Sequence, residues 1–172
     1  MVIRRIVGSI TIFGLLLLIG VGTIAYYFDD IRSFVMQQIG TVTIYIADTP
    51  FSVRVADTPA ERAQGLSGTA PLGPREGMLF IFPESDRYGF WMKDMNYPID
   101  ILWFDDTLQL VDVAINVRPE SYPESFAPDA PARFVVELPA FTADRLQFSE
   151  GERLTLPGTI VPQDVTVNLQ NN

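Results

Sequence analysis

Phe90-Trp91-Met92-Lys93-Asp94-Met95-Asn96-Tyr97-Pro98-Ile99-Asp100-Ile101-Leu102-Trp103-Phe104 is the stretch on which the reading of this chain turns, for it holds both tryptophans and the single lysine. Two apolar runs flank a polar middle containing Asn96 and Pro98. This pattern predicts a β-hairpin with its loop near Asp94–Tyr97. With Lys93 opposite Pro98, Trp91 falls opposite Asp100. Alternation then gathers Trp91, Lys93, Pro98 and Asp100 on one face, and Phe90, Met92, Ile99 and Ile101 on the other. The second face is wholly apolar and belongs to a core. The first carries an indole, an ammonium and a carboxylate, which suits a pocket floor: an aromatic platform beside a charged pair. The plainer alternative is a half-covered hairpin, with Asp100 bonded to backbone and Lys93 snorkelling over Trp91. A register slip of one residue would exchange the two faces.

Towards the N-terminus, Ile6 to Phe28 is an uncharged run of 23 residues, against the roughly 20 needed to cross the hydrocarbon core. Arg4 and Arg5 precede it, and Asp29 and Asp30 follow. The positive-inside rule places residues 1–5 in the cytoplasm, 6–28 in the membrane as an uncleaved signal-anchor, 29–40 as a juxtamembrane linker and 41–172 as an extracytoplasmic domain. A cleaved signal peptide would have a shorter apolar core and a small-x-small site, of which Thr23-Ile24-Ala25 is a poor version.

Composition excludes several chemistries. There is no cysteine and no histidine, so disulfides, thiolate catalysis, a Ser-His-Asp triad and Cys- or His-based metal sites are out of reach within this chain. The net charge is −9; setting aside the +2 of Arg4 and Arg5 leaves −11 beyond the membrane segment. Such a domain is repelled by nucleic acid and by anionic headgroups. Asp105-Asp106 lacks the alternating acidic loop that Ca²⁺ requires and reads as a solvated turn. No metal and no cofactor is indicated.

Downstream of the linker the pattern is β-rich. Thr41–Ile46 and Phe51–Val55 alternate as strands around Asp48-Thr49-Pro50 turn chemistry. Asp57 or Thr58 can cap a short helix from Pro59 to Leu66 that ends near Gly65, with Glu61 three residues after Thr58. Arg62 is placed to reach a carboxylate such as Asp100. Residues 67–76 form a loop, and Gly77–Phe82 a buried strand, followed by a polar loop at 83–88. Leu108–Ile115 alternates again. Residues 116–133, with four prolines, form a long connection that suits a lid over the Trp91–Lys93 face. In Arg133–Pro139, Phe134, Val136 and Leu138 face one way, Val135 and Glu137 the other. Glu137 is then either wet or paired with Arg62 or Lys93. Residues 141–147 read as one or two helical turns, 151–156 as a last strand, and 161–169 as an edge strand.

The motifs Ala56-Asp57-Thr58-Pro59-Ala60-Glu61-Arg62-Ala63-Gln64-Gly65-Leu66, Gly77-Met78-Leu79-Phe80, Phe90-Trp91-Met92-Lys93 and Pro98-Ile99-Asp100-Ile101 resemble, in order and spacing, those of the domain of unknown function 192 family over roughly residues 42–156. The resemblance implies a small, mostly β domain with a barrel-like core, and extracytoplasmic members carrying a signal or anchor. It implies no activity. The chain departs from the family at Leu66-Ser67-Gly68, where a bulky residue followed by Arg is common, and at Asp94-Met95, where Asn-Thr is common.

The fold expected is therefore mostly β (α+β): a compact, barrel-like antiparallel sheet with one or two short helices behind a single transmembrane helix. The leading function is a non-catalytic binding module for a small polar ligand, a sugar or an envelope protein, with Trp91, Lys93, Asp100, Arg62 and Glu137 as candidate ligand-binding residues. One alternative is a hydrolase working by carboxylates, Asp100 or Glu137, without metal or histidine. Another is an assembly role at the membrane.

Overall fold

The computed structural model describes residues 40–162. The expected anchor at 6–28, the linker at 29–39 and nearly all of the edge strand at 161–169 lie outside them. Among the described residues no helix is long and apolar enough to cross a membrane.

Among the described residues nine strands form: β1 Thr41–Ile46, β2 Thr49–Ala56, β3 Glu76–Asp86, β4 Phe90–Trp91, β5 Ile99–Phe104, β6 Leu110–Val117, β7 Ser125–Phe126, β8 Ala132–Pro139 and β9 Leu154–Thr155. Two short helices, α1 Pro59–Gln64 and α2 Thr142–Leu146, accompany them. Seven strands make one curled half-barrel sheet in the order β6-β5-β8-β3-β2-β1-β9, and β4 pairs only with β7. At one corner the two edges of the large sheet meet. Leu110 N donates to Glu152 O at 2.8 Å, Gly151 N to Leu110 O at 2.8 Å and Leu154 N to Leu108 O at 2.8 Å.

One expectation about strand direction is corrected. The sheet is not wholly antiparallel, because β2 and β3 run parallel. Parallel neighbours need a crossover connection, and α1 with the loop after it supplies one. The helix starts as its sequence dictates: Glu61 N donates to Thr58 Oγ1 and Thr58 N donates to Glu61 Oε2. The Thr58 hydroxyl, which donates to Glu61 Oε2 at 2.7 Å, and then the Thr58 N–H hold the exposed Glu61 carboxyl below the usual carboxylate range. Gly65 ends the helix at φ 50°.

The expected hairpin across residues 90–104 does not form. β5 is buried at every residue and lies between β6 and β8. A run apolar on both faces needs a strand on each side and cover above and below, which a two-stranded hairpin cannot give. The intervening polar segment is pinned elsewhere. Ser67 Oγ donates to Lys93 O at 2.8 Å, Gly68 N donates to Asp94 O at 2.9 Å, and Asp94 itself is left-handed at φ 56°. Lys93 and Asp94 therefore lie against the exit of α1.

Both faces of the sheet are buried. The inner face packs Ile44, Phe51, Leu79, Leu102, Phe104, Phe134, Val136 and Leu138 together with Leu108, Leu110, Leu154 and Leu156 from the joined edges. The outer face packs Met78, Phe80, Ile99, Ile101, Trp103 and Val135 under Leu66, Met92 and Tyr97. The alternation expected for β8 holds: Phe134, Val136 and Leu138 fall in the inner cluster and Val135 in the outer one. Gly77 is required where β3 meets β8. A Cβ there would stand 2.7 Å from the carbonyl oxygen of Glu137 and 2.9 Å from Leu138 Cδ2.

Candidate functional site

The five candidate residues do not converge. Asp100 belongs to the inner face, beside its cross-strand partner Leu138. It is fully buried, and both its oxygens are occupied. Oδ1 accepts from Asn116 N at 2.8 Å and Phe141 N at 2.9 Å, and Oδ2 accepts from Ala143 N at 2.8 Å. Asn116 and Phe141 are both left-handed, at φ 55° and 63°. Asp100 thus satisfies amides that a bulge in β6 and the start of α2 would otherwise leave unpaired. Its partners are backbone, as the plainer reading of the hairpin had it, and Arg62 is not among them.

Arg62 also differs from expectation. Its guanidinium donates to the carbonyls of Asp57 and Ile81 and lies over the Phe82 ring, 5.1 Å from the centroid. It ties α1 to β3. Lys93 is exposed, and its carbonyl, bound by Ser67, is the part that holds the loop.

Trp91 and Glu137, together with Arg62, line one pocket of about 240 Å³ between α1 and β4. The aromatic wall comes from alternation along β3, which sends Phe80 and Phe82 outward, and from Tyr88 and Phe90 on the following segment. Phe82 and Tyr88 stack with centroids 3.6 Å apart; Phe80 and Phe90 meet edge to face at 4.9 Å. Gly89 lets β4 approach β7, since a Cβ there would stand 2.5 Å from Ser125 Oγ. Trp91 is 56 % exposed and meets Tyr122 edge to face at 6.0 Å. The proline-rich connection therefore does dock against the Trp91 segment.

Glu137 is the unusual member. It is 6 % exposed, and its Oε2 accepts no hydrogen bond from any described residue. Its neighbours across the sheet are Met78 and Ile101, and Arg54 pairs with Met78 one strand further out. At about 4.8 Å per strand, that row sets the Arg54 backbone roughly two strand spacings from that of Glu137, with Met78 on the strand between. Burial accordingly pushes the Glu137 carboxyl up to about 8, and Arg54 offsets this only in part. Nearby Tyr97, whose hydroxyl bonds Thr69 Oγ1 at 2.7 Å, is raised chiefly by burial and further by Glu137.

The family model DUF192, described as "Uncharacterized ACR", matches residues 41–156. The chain belongs to the DUF192 family. No curated protein matches it. Crystal structures that resemble it include two proteins of known source. A protein of unknown function from Novosphingobium aromaticivorans is 29% identical, with a TM-score of 0.63, over 67% of this chain and 85% of that one. A candidate transcription regulator from Sinorhizobium meliloti is 32% identical, with a TM-score of 0.60, over 66% of this chain and 90% of that one.

In this DUF192 domain the sequence reading named Glu137 and Trp91 but not the wall that joins them. Phe80 and Phe82 were assigned to a buried strand without reference to a pocket. Their spacing of two, continued by Tyr88 and Phe90, was the available signal. Among the described residues no group of three or more acids could hold a metal ion. What the pocket offers chemically is one unpaired carboxyl group inside an aromatic enclosure.

Proposed function

We propose that this DUF192 domain is a non-catalytic binding module that takes a small polar ligand between α1 and β4, with Glu137 at the floor and Trp91 at the mouth. The observation that supports it is Glu137 itself, which lines the pocket while its buried Oε2 lacks a donor among the described residues. A polar atom left unpaired in a buried site costs about 1–3 kcal/mol, and a ligand donor would recover part of that. The volume of about 240 Å³ is below the roughly 300–1,000 Å³ of drug-sized sites. It favours a compact molecule or one sugar ring over an envelope protein. The acidic charge argues against nucleic acid as the ligand, whatever the description of the S. meliloti relative. In this proposal residues 6–28 anchor the domain on the outer side of the membrane. Protease added to intact spheroplasts should then degrade residues 41–172, and their protection would refute that topology.

The binding reading is tested by a thermal-shift and tryptophan-fluorescence screen of polar metabolite-sized compounds on the full chain in detergent. A true ligand raises the melting temperature and changes the emission of exposed Trp91, while buried Trp103 contributes a constant background. Unaltered binding in both Trp91→Ala and Glu137→Gln would place the ligand elsewhere.

A second reading has one observation in its favour. A carboxyl group still protonated near pH 7 is the form a general acid requires. Asp100 is not available as the second carboxylate, because its oxygens are bonded to amides on the other face of the sheet. Hydrolysis of aryl glycosides or esters at equal rates by the wild type and Glu137→Gln would end this reading.

A further inference from the structure

Building on the binding reading, we propose that the ligand is a small organic cation: a primary ammonium on a compact apolar body, its head group meeting the carboxylate of Glu137 within the enclosure of Phe80, Phe82, Phe90 and Trp91. Three observations carry this. Glu137 carries an oxygen without a donor, and its ionised form can only accept hydrogen bonds, so the complement of that form is a donor. The wall around it is built from aromatic rings, whose faces attract an ammonium within about 6 Å of the centroid. The charge of the chain, −9 overall, draws cations towards the domain.

The opposing charges are accounted for. On β2, Arg54 lies two strands from Glu137 in register, does not line the pocket, and offsets the effect of burial on Glu137 only in part. On α1, Arg62 is engaged by the carbonyls of Asp57 and Ile81 and lies over Phe82. On β8 itself, Arg133 donates from Nε to Phe82 O. Tyr88 and Tyr97 complete the titratable groups around the pocket; burial raises both, so they stay neutral at physiological pH. Arg62 keeps its positive charge on the α1 side of the pocket, so the ammonium is drawn to the opposite side, where Glu137, once ionised, is the one acid in the lining.

Binding displaces a proton. The protonated Glu137 carboxyl releases H⁺ to solvent as the ammonium arrives and leaves a carboxylate–ammonium pair, so charge is conserved. Because the carboxyl titrates at about 8, the ligand competes with a proton below that pH. Affinity for an ammonium then rises by up to about tenfold per pH unit from 5 to 7 and levels off above 8. A neutral ligand would show no such rise.

The test uses the full chain in detergent micelles and three probes of one shape: benzylamine, benzyl alcohol and benzoate. Calorimetry in two buffers of different ionisation enthalpy counts the protons released. Benzylamine at pH 7 should bind at least about tenfold tighter than benzyl alcohol, release close to one proton per ligand, and lose that advantage in Glu137→Gln. The pH profile of the wild-type protein is an independent readout should the variant fold poorly. Benzyl alcohol or benzoate binding as well as benzylamine, or benzylamine binding without proton release, overturns the cation assignment and leaves the binding module standing. So does silence from all three probes while another compound of the wider screen shifts the melt. Silence from the entire screen removes both.

Discussion

Asp100 and Glu137 sit on neighbouring strands of one sheet, both almost wholly buried, and they are treated in opposite ways. Asp100 faces inward and receives three backbone amides, from β6 and from either side of the α2 start. Glu137 faces outward, beside Met78 and Ile101, and one of its oxygens receives none. A carboxylate saturated with amide donors is spent on holding the fold. An acid kept from both water and partners is costly, and its cost is recovered only when something else enters its pocket. Burial alone would not distinguish them. The count of donors does.

The comparison is broken most directly at Asp100. Asp100→Ala strands three amides, that of Ala143 fully buried and those of Asn116 and Phe141 partly so, and should cost roughly 3–5 kcal/mol in urea unfolding of the full chain; a loss within the scatter of surface substitutions would deny Asp100 its role. Glu137→Gln should move the other way at high pH. In the wild type the folded-state carboxyl is raised from 4.5 to about 8, so the folded form holds its proton longer than the unfolded one. Its contribution is fully present below pH 4.5 and is lost as the pH rises through about 8, at no more than about 1.4 kcal/mol per unit. Glu137→Gln removes that slope. It should match the wild type near pH 4 and exceed it by about 2 kcal/mol or more at pH 9, as read from melting curves across pH; parallel curves would mean that Glu137 is not buried as an acid. Gly77→Ala pushes a methyl against the Glu137 carbonyl and should cost about 1–3 kcal/mol, with the pH dependence of Glu137 shifted as well; an unchanged melting temperature would show that β3 and β8 can separate freely. Trp91→Ala should alter stability by less than about 0.5 kcal/mol, because the indole is exposed, while abolishing the fluorescence response to ligand. A large loss of stability there would make Trp91 part of the scaffold.

Most of the architecture could be read from the chain. The alternation in Thr41–Ile46 and in β8, the Thr58–Glu61 capping box and the apolar run at 77–82 are local signals, and each formed the expected element. The family motifs added the barrel-like curl. The error at residues 90–104 has a definite cause. Hairpin logic assumes that adjacent apolar runs pair with one another, whereas β5 found β6 and β8, and β4 found β7. Nothing within the stretch itself announces those distant partners. The same error moved Asp100 next to Trp91 on paper. Glu137 was recognisable as an acid in an apolar strand, but whether it was paired depended on which side chain stood between it and an arginine. That is set by the parallel β2–β3 register, which sequence spacing did not convey. The tight turn at Ala47-Asp48, shorter than the Asp48-Thr49-Pro50 turn expected, is a smaller case: Ala47 takes φ 49°, and Thr49 and Pro50 join β2.

The place of β8 in the sheet also governs how the chain assembles. It lies between β3 and β5, yet it follows both in sequence. While a nascent chain is shorter than residue 132, β1-β2-β3 and β5-β6 are two separate ribbons, each ending in an open edge of apolar residues: Met78 to Ile81 on one, Ile99 to Phe104 on the other. Such edges are the surfaces on which chains aggregate. The last quarter of the polypeptide therefore acts as the wedge that joins the earlier parts. A ribosome-stalled or truncated product ending before Ala132 should need a holding chaperone, and one ending after Leu156 should not.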